Sequence, residues 1–236
     1  MSSPFHYLRK LYHTAVPLQL KYGSTFRKAL SGYEANLSRS REEIEDYQWS
    51  RLKALIDYAY QHVPYYTRKF REKGISPADI QHWSDFKQIP VLAKDDVDLN
   101  REELKSDEFD KFDPISTITS GTTRDGLLLY RSRELEAHRN AIVWRYRRSI
   151  GYDFRQRRAR LTTAFHKDQP VDQFPIDLNE NCIYVHPHAI NRDLARTVYE
   201  QIRDFRPRMI QAQPASAAIL ASLCRELDLE PLQVPI

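Results

Sequence analysis

From Ser116 onward, short β-prone runs alternate with helical stretches, and this alternation limits the fold more than any other feature of the chain. "STIT" and "LLLYRS" flank a glycine loop, while "RARLTTAF", "CIYVHP" and "RMIQAQ" read as buried strands. Between them the spacing predicts helices over Arg133–Ile150, ending at Gly151, over Arg192–Phe205, and over Ala215–Leu227 with Ile219, Leu220 and Leu223 facing inward. Strands joined through helices of about ten residues or more pair in parallel, because a tight turn only reverses the chain. The expectation is an α/β layer over residues 113–236.

The first 112 residues carry a different pattern. Leu52, Leu55, Ile56, Ala59 and Val63 recur at helical spacing behind the acidic start "REEIEDY", and Pro64 ends that run. A short helix in "VPYYTRKFREKG" stops at Gly74, Ser76-Pro77 opens a turn, and "WSDFKQIP" and "VLAKDDVDLNREEL" begin further helical pieces. Phe5, Leu8, Tyr12 and Ala15 predict one more, at the N-terminus. The chain thus reads as a helical cap followed by part of an α/β sheet domain.

No apolar run approaches the roughly 18 to 20 residues that span a bilayer, and the N-terminus lacks the apolar core of a signal peptide, so a cytoplasmic location is the expectation. Cys182 and Cys224 are far apart with no metal-ligand spacing, and they read as small buried apolar residues. His186 and His188 lack a third ligand nearby, so no metal site is expected.

Glycine is scarce, six residues in 236, yet two of the six fall in "ITSGTTRDGL", Ile118 to Leu127. Gly121 lets the backbone approach a ligand, and Thr119, Ser120, Thr122 and Thr123 add four hydroxyls to the loop's own N–H groups. The following helix can contribute its positive end. That set suits a polyphosphate, although Ser/Thr-rich turns are common and neither GxGxxG nor GxxxxGK[ST] is present.

The loop resembles the TSGTTGxP signature of the adenylate-forming ligases. "YQWSRLKALIDYAYQHVPYYTRKFREKGI", "FKQIPVLAKDDV" and "FRPRMIQAQPASAAILA" are similar to segments of phenylacetate-CoA ligases and their capsular-polysaccharide-biosynthesis relatives. The resemblance implies a distorted, mostly parallel AMP-binding domain that adenylates a small carboxylic acid with ATP and Mg, usually followed by transfer to coenzyme A. It places the phosphates on Thr119, Ser120, Gly121, Thr122 and Thr123. Where the family has glycine this chain has Arg124, and where it has proline this chain has Gly126. A non-glycine residue forced left-handed costs about 1–2 kcal/mol, so Arg124 either pairs with phosphate or obstructs it. The family's ribose, metal and lid-lysine motifs have no counterpart in these residues, so turnover by this chain alone is not expected.

Two other readings stay open: a degenerate or split-gene module that needs a complementing chain or self-associates, and a nucleic-acid-binding protein. The second rests on Arg124–Arg160, where eleven arginines face four acids among interleaved aromatics. His166 reads as a strand-end residue that can also line an acyl pocket, and Tyr130, Trp144 and Tyr146 read as core or hinge aromatics. Leu232, Val234 and Ile236 alternate as a further strand would.

Overall fold

The computed structural model describes residues 22–119, 126–163 and 170–236. The helix expected over Phe5–Ala15 lies outside them. In chain order the elements are α1 (Gly23–Ala35), α2 (Arg41–His62), α3 (Pro64–Glu72), α4 (Lys94–Leu99), β1 (Ile115–Ile118), β2 (Leu128–Arg131), α5 (Arg133–Ser149), β3 (Arg158–Leu161), β4 (Ile176–Asp177), β5 (Cys182–Val185), α6 (Ala195–Phe205), β6 (Met209–Ala212) and α7 (Pro214–Glu226). They form two compact units: residues 28–141, and residues 142–236 with the described N-terminal residues up to Arg27.

In the first unit α2 starts on a capping box. Ser40 Oγ accepts from the Glu43 N–H at 3.1 Å, and Glu43 Oε2 accepts from the Ser40 N–H at 2.7 Å, so two helix-end groups satisfy one another. Pro64 both ends α2 and opens α3 as its first residue, where its missing N–H costs nothing. Ile56, Phe70 and Ile80 make the core here, with Trp49, Leu52 and Tyr60 against them. Leu55, expected on the same face, is 61% exposed. It sits ~100° round the helix from Ile56, at the edge of the apolar stripe. The β-prone runs "STIT" and "LLLYRS" form an antiparallel hairpin, Ile115 opposite Arg131 through Ile118 opposite Leu128.

The second unit is built on a four-stranded sheet in the order β4-β5-β3-β6. β3 runs parallel to β5 and to β6, and only the two-residue β4 is antiparallel. One face of the sheet, with Ala159, Leu161, Ile183 and Val185, is buried under Val198 and Ile202 of α6 and Leu220 and Leu223 of α7. Ile219 is 50% exposed, not inward, for the reason that applies to Leu55. Beyond β6, the Ile236 N–H donates to the Arg208 carbonyl and the Ile210 N–H donates to the Ile236 carbonyl, at 3.1 and 3.0 Å. These two bonds are those of a parallel pair. The strand expected over Leu232–Ile236 is realised only there, because the Val234 N–H turns back to the Leu232 carbonyl. No helix among the described residues is long and apolar enough to cross a membrane.

Candidate functional site

Among the described residues, two places gather polar groups where a ligand could sit. The first is the mouth of the β1–β2 hairpin. Beyond the last strand pair, the Thr119 N–H donates to the Leu127 carbonyl at 3.0 Å, and the Leu127 N–H donates to Thr119 Oγ1 at 2.9 Å. The Thr119 hydroxyl is therefore an acceptor inside the hairpin and keeps its own proton to donate. A Cβ on Gly126 would overlap the Thr119 carbonyl oxygen and come within 2.5 Å of Ile118 Cγ2. Glycine is needed at this position because two backbones press together, not because of a left-handed φ. Ser120, Gly121, Thr122, Thr123 and Arg124 lie outside the described residues.

The stem of the hairpin is anchored. Tyr130 meets Phe109 edge to face at 5.0 Å, and the Lys105 ammonium lies 5.4 and 5.5 Å from the two ring centres. Arg133 pairs with Asp113, and Arg131 with Glu136 at 2.9 Å. The start of α5 departs from the expectation of a free positive end. Ser132 Oγ already accepts from the Leu135 N–H at 3.0 Å, and Glu134 and Glu136 fill the first turn, so the helix dipole there is answered within the chain.

The second place is the carboxyl edge of the parallel strands, where open α/β sheets hold ligands. β3 leads to Thr162 and Thr163, β5 to His186 and His188, and β6 to Gln213 at the start of α7. The His188 N–H donates to His186 Nδ1 at 3.2 Å, so the His186 ring proton sits on Nε2 when the ring is neutral, and the two rings stack at 5.1 Å. The described residues contain no group of three His, Cys, Asp or Glu side chains fit to hold a metal. His166 lies outside them. Gln213 offers α7 no side-chain cap and no acid stands in its first turn.

Behind that edge, strand alternation puts Arg158, Arg160, Cys182, Tyr184, Met209 and Gln211 on the sheet face opposite the apolar core. This polar face was not anticipated from the sequence, where "RARL" reads only as a buried strand. Arg158 is 2% exposed and pairs with Glu180, which also accepts from the Tyr184 hydroxyl at 3.2 Å. From α5, Arg147 Nη2 donates to Gln211 Oε1 at 3.0 Å. Burial first, then the neighbouring Arg158 charge, pushes the Arg147 guanidinium down to about 10. Burial likewise pushes the Cys182 thiol up, as expected of an inert apolar cysteine; Cys224 is only half-buried. Trp144 stacks on Phe154 at 4.0 Å and is core, whereas Tyr146 is 62% exposed and is not. Of the eleven arginines of the basic stretch, five, Arg131, Arg133, Arg139, Arg148 and Arg158, pair with acids.

The fold resembles that of two solved ligase structures. 2-Hydroxyisobutyryl-CoA ligase, solved with 2-HIB-AMP and CoA in the thioesterification state, superposes with a TM-score of 0.61 over 81% of this chain and 42% of its own, at 18% identity. Its open conformation gives a TM-score of 0.59 over 81% of this chain and 45% of its own, at 17% identity. The chain has the fold of the adenylate-forming ligases. In sequence it is similar over a shorter span to curated phenylacetate-coenzyme A ligases. The match is 38% identical over 58 residues with that of Escherichia coli K12, and 37% over 57 residues with that of Thermus thermophilus. These spans are 25% and 24% of this chain and 13% of each ligase, and no family model matches. The chain spans less than half the length of the solved ligases it resembles.

Proposed function

We propose that this chain supplies part of the adenylation module of an AMP-forming acyl- or aryl-acid ligase, with the hairpin loop holding the phosphates of ATP. The observation that carries the reading is the hairpin mouth. Gly126 lies against the Thr119 carbonyl and the Thr119 hydroxyl keeps a free proton, so a loop rich in hydroxyls is pinned at both ends by a rigid pair. A donor fixed on the hairpin, as Thr119 is, stabilises charge on a transferring phosphoryl group without reorganising. Thr119, Ser120, Thr122 and Thr123 would hold the phosphates. ATP bound there supplies the electrophilic phosphorus, and Mg neutralises its oxygens. The likeness to a ligase solved with an acyl adenylate and CoA supports the same reading, and extends it to a small carboxylic acid and coenzyme A as partners.

Titration calorimetry with ATP tests it. Saturable binding that is lost in the Thr122→Ala, Thr123→Ala double variant is the expected result, and equal affinity of variant and parent overturns it. Arg124→Gly separates the two roles of that arginine: weaker binding means it pairs with phosphate, tighter binding means it obstructs.

A second reading, a module that binds without turning over, is favoured by one observation. Among the described residues, no Asp or Glu stands at the carboxyl ends of β3, β5 or β6, where a ligand-bound Mg would want a carboxylate. Pyrophosphate exchange into ATP with any carboxylic acid counts against this second reading.

A further inference from the structure

The polar face of the sheet holds more positive charge than the described residues neutralise. Arg158 uses one nitrogen on Glu180, but its Nε and Nη1 are buried and have no hydrogen-bond partner. Arg160, half-buried two residues along β3 on the same face, pairs with no carboxylate among the described residues, and its register neighbours are Tyr184 and Gln211. Arg147 reaches this face through Gln211. Three guanidinium groups are therefore gathered here, and Glu180 is the carboxylate bonded to them among the described residues. A buried donor left unpaired costs free energy, and a buried unpaired charge costs more. Water would satisfy the N–H groups of Arg158 but would not offset the charge. A small oxyanion does both, since guanidinium forks match the oxygens of carboxylate and phosphate.

We propose that the polar face of the sheet is a binding site for a small oxyanion, a carboxylate or phosphate group, received by Arg158 and Arg160 with Arg147 and Gln211 at its side. The site is separate from the hairpin loop in sequence and in the residues it uses, and the proposal stands whether or not that loop binds ATP.

The test is calorimetry on the 236-residue chain with inorganic phosphate and, separately, acetate, each against chloride at constant ionic strength. Saturable binding of either anion, weakened about tenfold or more in Arg160→Gln and retained in Thr122→Ala, Thr123→Ala, is expected. Phosphate binding identifies a phosphate group as the natural occupant, and acetate binding a carboxylate. Arg160→Lys keeps the charge without the fork and should fall between parent and Arg160→Gln. It also serves as the measured variant if circular dichroism shows Arg160→Gln to be unfolded. No saturable binding of either anion, or parent-like binding in the Arg160 variant measured, overturns the proposal, and so does binding lost in the double threonine variant.

Discussion

Gly126 lies against the carbonyl of Thr119 so closely that even a methyl group on it would overlap that oxygen. The same threonine exchanges two hydrogen bonds with Leu127. Three residues, 119, 126 and 127, thus close the hairpin and fix both ends of the loop between them. The position at which the related signature has proline is filled here by a residue that permits a different close approach. The two ends of the loop are thereby held at a fixed separation.

Replacing Gly126 by alanine should therefore damage the hairpin. The colliding atoms are backbone and a β-branched side chain, which yield poorly, and overpacking of this kind costs about 1–3 kcal/mol. Urea unfolding should show a lower midpoint, and calorimetry a loss of ATP affinity. An unchanged midpoint with unchanged binding would remove the close approach from the account.

The buried pair Arg158–Glu180 gives a second expectation. Taking away the carboxylate with Glu180→Gln strands the guanidinium, and breaking one side of a buried pair costs about 3 kcal/mol or more. The partly exposed Glu180 puts this case at the lower end. Restoring neutrality with Arg158→Met in the same chain should recover much of the loss. If the double variant is no more stable than Glu180→Gln alone, the stranded charge is not the cause.

The helix caps make a pH-dependent contribution whose sign is fixed. Hydrogen bonds from the Ser40 backbone and side chain hold the Glu43 carboxyl below its ordinary value of 4.5, and Ser76 does the same for Asp79, below 3.8. A carboxyl whose folded pKa is depressed stabilises the fold above its unfolded pKa, and that contribution is lost as pH falls through the folded value. Amide exchange in the first turn of α2 should accelerate as pH is lowered below about 4.5, after correction for the intrinsic rate. Glu43→Gln removes the titrating carboxyl and should abolish the acid-dependent part, and an identical profile in that variant would discount the cap.

The strands and most helices were readable because apolar periodicity is local: β3, β5, β6, α2 and α5 all lie where the pattern puts them. α1 was not anticipated: two glycines, Gly23 and Gly32, lower its helix propensity, and Phe26 and Leu30, four apart and both buried, mark its inner face. β4 is two residues long and has no period to detect. The phosphate-loop reading rests on the order of threonines and glycines, most of which lie outside the described residues. The arginine-rich sheet face was not, because Arg160 beside Tyr184 and Gln211 is a fact of strand register between segments far apart in sequence. The basic excess of Arg124–Arg160 is plain in the sequence, but which of its members pair with acids is decided only in the fold.

The inner face of α7 provides the last expectation. Leu220 and Leu223 are buried against the sheet, whereas Ile219 points half into solvent. Truncating a buried leucine removes its transfer free energy and leaves a cavity, about 2–5 kcal/mol together. Truncating a side chain that already meets water changes stability by about 0.5 kcal/mol or less. Leu220→Ala should therefore lower the urea midpoint sharply, with Ile219→Ala close to the parent. The sequence alone ranks the two isoelectronic side chains as equal members of one stripe, so the pair discriminates between periodicity and the observed rotation of the helix. Equal losses would mean that Ile219 is covered in solution and packs like Leu220.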